Sequence, residues 1–402
     1  MLENNVFDEL IDRKGTYCTQ WDYIEDRFGV NDLLPFTISD MDFAVPNVIN
    51  DALKKREAHP IYGYTRWNHS DFKQSIVSWY KKRFATQVDL DWIVYSPSVI
   101  YTISRLIELK SDIGDQVVIQ TPAYDAFFKT IRTNKREIAE NPLHYINGIY
   151  SIDFDDLERK LADEKTTIFL LCSPQNPTGR VWTKEELTRM IELCDRYNVF
   201  LISDEIHMDI VRETYQHLPV VSLAIKLDQI AICSSASKTF NTSGLIGSYA
   251  LIPDKSLQED FLEVLKNRDG LSSASIMGIE SIMAGYNNGQ NWVEELNEYI
   301  SSNLTVVANY LKSQIPEIQF TIPESTFLAW IDISGLPFEM EELQQALIEI
   351  GEVAIMDGSI YGVQGKDFLR MNIGCPRKKV IDGLEGLKKA VDSLKMNKIN
   401  YE

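Results

Sequence analysis

TTIFLLCSPQNPTGRVWTKEELTRMIELCDRYNVFLISDE, residues 166–205, holds two near-continuous apolar runs separated by one amphipathic stretch. The runs (166–174 and 198–205) read as strands that are buried on both faces, because they do not alternate apolar with polar residues. TKEELTRMIELCDRYN between them has helical spacing, and Thr183 with Glu186 forms a capping-box pattern at its start. Strand, helix, strand in this order is the unit of a parallel sheet covered on both sides by helices. The pattern spreads in both directions. DWIVYS (91–96), DQVVIQTP (115–122), QIAICSS (229–235) and YALIPD (249–254) are further apolar runs, and VIYTISRLIELK and AYDAFFKTIR read as helices. An α/β fold follows, and such sheets bind ligands at the carboxyl ends of their strands.

Beyond these runs the texture changes. NWVEELNEYISSNLTVVANYLKSQI (291–315) is a long helical pattern. FLAWIDIS, MEELQQALIEIG, VAIMDGS and FLRMNIGC follow it as short strands and a segregated helix, which suggests a smaller α+β unit. The first 45 residues carry no strong periodic element. The expected division is an arm over residues 1–45 packing with the small domain, a large domain over 46–288 and a small domain over 289–402.

The 402 residues carry a formal net charge of −19, which disfavours nucleic acid and anionic membrane surfaces as partners. No run reaches the length that spans a bilayer, and the first residues show no secretory pattern. A cytoplasmic location is expected. The five cysteines are scattered, with no C-x-x-C pair, and read as reduced core residues. The histidines show no metal-ligand spacing.

The residues that follow each strand carry the chemistry. Lys238, in SSASKTF, sits among small hydroxylated residues after a buried strand. Desolvated there, its amine loses basicity and becomes a nucleophile. Ser235 and Ser237 offer hydroxyls to a phosphate. Val99 and Ile100, at the helix start in SPSVIY, offer outward-pointing backbone N–H groups to the same anion. Asp204 ends a buried strand, where a helix N-terminus or a positively charged partner must hold it. Asn176, in the turn NPTG, offers an amide, and Tyr124 offers a ring face. His207 reads on its own as a structural hydrogen-bonder. Arg370, inside an apolar strand, needs an anion such as a carboxylate. Any one of these positions is ordinary alone: a turn, a salt bridge, a surface lysine, core packing. Together they form the equipment required by pyridoxal 5′-phosphate (PLP), with a lysine for its aldehyde and an acid for its ring nitrogen.

The motifs SPQNPTGRVW, ISDEIHMDIV and SASKTF resemble those of the fold-type-I PLP enzymes, the aspartate aminotransferase superfamily. LLPFTISDMDF, GYTRW, SPSVIYTIS, TPAYDAFF, NRDGLSS and LRMNIGCPR resemble the MalY/PatB branch of carbon–sulfur β-lyases, from about TYCTQWDY to near the C-terminus. The resemblance implies a large domain built on a mostly parallel seven-stranded sheet plus a small α+β C-terminal domain. It implies Lys238 as Schiff-base lysine and proton shuttle, Asp204 at the pyridinium nitrogen, Asn176 at the phenolic oxygen and also near substrate, and Tyr124 over the ring. Ser235, Ser237, Val99 and Ile100 are implied at the phosphate, His207 beside the cofactor, and Arg370 at the substrate carboxylate. Tyr64 resembles a tyrosine that enters the site of a neighbouring subunit, touching cofactor and substrate, which implies a homodimer with shared sites. The implied reaction is β-elimination on cystathionine or another S-conjugate of cysteine, giving a thiol such as homocysteine, pyruvate and ammonia, and serving methionine biosynthesis. An aminotransferase is the alternative on this fold, and a regulatory contact with a transcription activator is a possible addition in this branch. Two departures from the superfamily stand out. Ile246 replaces an arginine common eight residues after the lysine, and His207 replaces a tyrosine common three after the aspartate. Both resemble the lyase branch, as does Ser98 in place of glycine.

Overall fold

A computed structural model describes residues 5–401. The strands in chain order are β1 (Leu34–Phe36), β2 (Ile93–Ser96), β3 (Gln116–Thr121), β4 (Glu137–Pro142) and the hairpin β5 (His144–Ile146) and β6 (Ile149–Ser151). They continue as β7 (Thr166–Cys172), β8 (Phe200–Asp204), β9 (Ile230–Ser234), β10 (Ser248–Leu251), β11 (Leu328–Asp332), β12 (Val353–Asp357) and β13 (Phe368–Asn372). Seven of them form one sheet in the order β2-β10-β9-β8-β7-β3-β4. The β4-β3-β7-β8-β9 pairings are parallel, so Thr121, Cys172, Asp204 and Ser234 finish at one edge. β7, β8 and β9 are buried at nearly every position, which explains their continuous apolar reading.

The sheet departs from the sequence reading in two places. β10 runs antiparallel to both of its neighbours, β2 and β9. β4 is an additional edge strand whose sequence, EIAENP, is polar and only partly buried. Paired on one side alone, it does not need an apolar run.

The helix Lys184–Tyr197 starts at the capping box of Thr183 and Glu186 and ends at Asn198 in the left-handed conformation. Its apolar face, with Leu187, Met190 and Ile191, joins the core of the large sheet. A second core gathers Leu304, Leu328, Leu369 and Leu384 between the small sheet and the long helices Gln290–Gln314 and Arg377–Tyr401. The small sheet has the order β1-β12-β13-β11. Its edge strand β1, parallel to β12, comes from the N-terminal segment, which the sequence reading left without an element. Its last residue, Phe36, and Met41 beyond it join the second core. From there residues 37–43 cross toward the carboxyl edge of the large sheet. Among the described residues no helix is long and apolar enough to cross a membrane.

Candidate active site

One cavity opens at the carboxyl edge of the large sheet. Lys238, Asp204, Asn176, Tyr124, His207, Ser235, Ser237, Val99 and Ile100 all line it. Each arrives by its own route. Asp204 is the last residue of β8. Tyr124 precedes the helix Asp125–Thr133, and Asn176 stands in the turn after β7, between two cis prolines. Gly179 closes that turn at φ +72°, where a Cβ would lie 2.4 Å from Pro323 Cβ, so only glycine fits. Lys238 sits on the single helical turn Ser237–Phe240 that follows β9.

The electrostatics follow from burial. Burial lowers Lys238 from 10.5 to about 8, and Arg370 adds to the effect, while Asp40 and Asp204 oppose it. Its ammonium donates to the backbone carbonyl of Ser39, supplied by the crossing N-terminal segment. Burial raises Asp204 to about 7, against the N–H of Ile206, which donates to Oδ1 at 3.1 Å. The shifts run in opposite directions because desolvation penalises either charged form. Burial holds His207 near 3, so its ring is neutral, and Nδ1 has no hydrogen-bond partner among the described residues.

One end of the cavity is a helix N-terminus. Ser98 caps the helix Val99–Lys110, its Oγ accepting from the N–H of Tyr101 at 3.1 Å. The first N–H groups of the helix, those of Val99 and Ile100, lie ahead of its i→i−4 ladder, and both residues line the cavity. Ser235 Oγ donates to the Gly247 carbonyl at 2.6 Å and accepts from Ser237 N–H at 3.1 Å, which fixes the turn between β9 and Lys238. Ile246 borders the cavity with φ +56°, a strained value for a β-branched side chain.

Arg370 lies on β13 opposite Trp330 of β11. It is 4 % exposed, its Nη1 donates to Asn176 Oδ1 at 3.2 Å and its Nη2 to the Thr37 carbonyl at 2.9 Å. Nε has no partner among the described residues, and the Tyr361 ring lies 4.6 Å below the guanidinium. A buried arginine with two neutral oxygens and a free donor is equipped for a carboxylate. Tyr64 does not join this cluster within the chain: it is wholly exposed, in a loop with exposed Ile61 and Tyr62.

These donors fit PLP. The cavity combines an amine of lowered pKa, a buried acid with one backbone partner, a neutral ring nitrogen without a partner and a helix terminus. Sequence reading missed Ser39, Thr37 and Tyr361. The first two act through backbone carbonyls, which no side-chain pattern announces. LLPFTISDMDF, which contains Thr37 and Ser39, stood out only by resemblance.

Comparison with known proteins agrees with the geometry. The aminotransferase class I and II family model matches residues 31–387. Protein MalY of Escherichia coli K12 is 45 % identical over 97 % of this chain and 99 % of its own. Cystathionine beta-lyase PatB of Bacillus subtilis 168 is 37 % identical over 96 % of this chain and 99 % of its own. The PLP-bound C-S lyase of Staphylococcus hominis superposes with a TM-score of 0.90 at 30 % identity, covering 97 % of this chain and 99 % of that one. From fold, cavity and these likenesses alike, the chain belongs to the aminotransferase class I and II family, in its MalY/PatB branch.

Proposed function

We propose that this PLP-dependent carbon–sulfur lyase acts on cystathionine and related S-conjugates of cysteine, releasing a thiol, pyruvate and ammonia, and that it does so as a homodimer with shared sites. The observation that carries the reading is the cavity-facing amine of Lys238, lowered to about 8 and sharing its cavity with Asp204 and with Asn176, to which Arg370 of the small sheet donates at 3.2 Å. PLP is held, in this reading, by the N–H groups of Val99 and Ile100 and by Ser235 and Ser237 at its phosphate. Asn176 takes its phenolic oxygen, Asp204 its ring nitrogen, His207 its vicinity and Tyr124 its face. When bound, the group supplies an electron sink that acidifies the substrate Cα–H.

Arg370 grips the substrate carboxylate and orients Cα, with Asn176 beside it. Lys238, neutral above about pH 8, takes the proton from Cα. The Cβ–S bond then breaks with its electron pair on sulfur, and Lys238 or the neighbouring subunit's equivalent of Tyr64 returns a proton to the thiolate. Water completes the balance: one thioether amino acid and one water give thiol, pyruvate and ammonium.

The test is pyruvate release from L-cystathionine by the holoenzyme with no keto acid added. A lyase gives steady turnover, whereas an aminotransferase stalls without an acceptor. Lys238→Ala abolishes both the visible absorbance of bound cofactor and pyruvate formation. Full turnover in that variant refutes the assignment.

A further inference from the structure

Residues 15–22 form a turn that closes on itself. The Asp22 carboxylate accepts from the N–H groups of Gly15 and Cys18 at 2.8 and 2.9 Å. The Cys18 carbonyl accepts in turn from the N–H groups of Trp21 and Asp22 at 3.1 and 2.7 Å. Gln20 is held within this turn and is 2 % exposed. Its Oε1 accepts from two consecutive backbone N–H groups, those of Thr37 and Ile38, at 3.2 Å each. Its Nε2 donates to Asp40 Oδ1 at 3.4 Å. Thr37 and Ile38 follow β1 and lie past the end of its pairing with β12, so the Gln20 amide stands where a strand partner would.

The bond to Ile38 reaches the site through one peptide unit. The Ile38 N–H and the Thr37 carbonyl belong to the same trans peptide, which is planar and points the two groups in opposite directions. Gln20 holds one side of it. On the other side the Thr37 carbonyl accepts from Arg370 Nη2 at 2.9 Å. Apart from Arg370 itself, Gln20 is the partner this peptide has among the described residues. The next carbonyls are held from the site's side: that of Ile38 by Asn372 Nδ2 at 2.5 Å, that of Ser39 by the Lys238 ammonium. Asn176 Oδ1, the second acceptor for Arg370, is also neutral, so the guanidinium is oriented without being neutralised.

We infer that Gln20 is a positioning residue for the substrate carboxylate: by fixing the Thr37–Ile38 peptide it sets the plane in which Arg370 presents its donors. The inference rests on the reading of Arg370 as the carboxylate clamp. A planar fork meets two carboxylate oxygens only when it lies in their plane, so a tilted guanidinium keeps its charge and loses its hydrogen-bond geometry. Gln20 acts on that tilt from outside the cavity, through two bonds and one rigid unit.

The experiment measures the affinity of the holoenzyme for glycine, an α-amino acid with no leaving group, from the change in visible absorbance of the bound cofactor. Wild type, Gln20→Leu, Arg370→Met, the double variant and Trp21→Phe are compared. Gln20→Leu is expected to weaken glycine about tenfold. It should raise KM for L-cystathionine by a similar factor with kcat within about twofold, since the carboxylate is gripped alike in ground and transition states. In the Arg370→Met background the same substitution adds less than about twofold, because the group it orients is gone. Trp21→Phe removes another bond from the same turn, Nε1 to Asp42 Oδ1 at 3.1 Å, and stays within about twofold. A Gln20→Leu loss that is equal in both backgrounds, a loss matched by Trp21→Phe, or no loss at all overturns the inference. Should the leucine variant not fold, Gln20→Met, of similar length and with only a weak sulfur acceptor, takes its place in the cycle. Unchanged glycine affinity in Arg370→Met alone overturns the clamp reading of Arg370, and the inference with it. A loss there beside a neutral Gln20→Leu overturns the inference alone.

Discussion

Asp204 and Lys238 share one cavity, yet each is shifted toward its neutral form. Burial dominates both shifts, and their mutual attraction only moderates it. In the cofactor-free protein this has a thermodynamic consequence with a definite sign. The folded-state pKa of Asp204, about 7, lies above its ordinary 3.8, so the folded chain binds the extra proton between those values. The contribution is present in full below pH 3.8 and is lost as pH rises through 7. At pH 8 the ionised carboxylate therefore costs stability, with an upper bound of about 4 kcal/mol from the size of the shift. Asp204→Asn keeps the acceptor for the Ile206 N–H and removes the charge. Thermal unfolding of the cofactor-free variant at pH 8 should show a gain of about 1–3 kcal/mol, with a flatter pH profile between 4 and 7. With Asp204 at the cofactor's ring nitrogen, as proposed, the same substitution removes the charge there, and lyase turnover should fall by about a hundredfold or more. A variant that is both less stable without cofactor and fully active would show that burial does not govern this carboxylate.

At the scale of elements, the single helical turn that carries Lys238 is too short to hold itself, and its neighbours hold it. Thr239 Oγ1 donates to the buried Asp209 at 2.8 Å. Asn241, at φ +58°, ends the turn and reaches the crossing N-terminal segment three times: its Oδ1 accepts from Met41 N–H at 3.0 Å, and its Nδ2 donates to the carbonyls of Met41 and Phe43 at 2.8 and 2.9 Å. Asn241→Gly keeps the left-handed turn and loses the side-chain bonds. Asn241→Ala loses both, and should cost about 1 kcal/mol more than the glycine variant, for a total of about 2–3 kcal/mol in urea unfolding. Amide exchange at Met41 should accelerate in both variants, and identical costs would remove the turn from the explanation. Elements such as this one mark the limit of what the sequence discloses. β7, β8 and β9 are legible because both faces are buried, and the strand ends then point to Asp204, Asn176 and Lys238. β10 is equally apolar, but its antiparallel direction is invisible, since burial has no polarity along the chain. β4 and β1 escape detection because one is polar at an edge and the other has three residues. The Ser39 and Thr37 carbonyls escape for a different reason: any side chain would bring the same oxygen.

At the scale of the whole molecule, residues 37–43 tie the two cores together around the site. Asn372 Nδ2 donates to the carbonyls of Ile38 and Asp40 at 2.5 and 2.6 Å, and Asp42 pairs with the buried Lys379 at 2.5 Å and with Arg13 at 2.8 Å. Within one chain this enclosure is incomplete on the side of Ile246, which is 54 % exposed although it borders the cavity. Tyr64 is 101 % exposed beside Ile61 and Tyr62, at 65 and 57 %. Contiguous exposed apolar residues of this kind mark an interaction surface. A two-fold dimer that places each such loop over its neighbour's cavity satisfies both exposures at once, because an isologous contact repeats every pairing. The consequence is testable by complementation. Lys238→Ala retains Tyr64, and Tyr64→Ala retains Lys238. Each homodimer should be nearly inactive on cystathionine. In a mixed dimer, one of the two sites pairs an intact lysine with an intact tyrosine. Co-expression and random assembly should restore about a quarter of wild-type pyruvate release, since half of the dimers are mixed and half of their sites are complete. Mixing that restores nothing, with a mixed dimer demonstrated by differential tags, would place Tyr64 outside the neighbour's site.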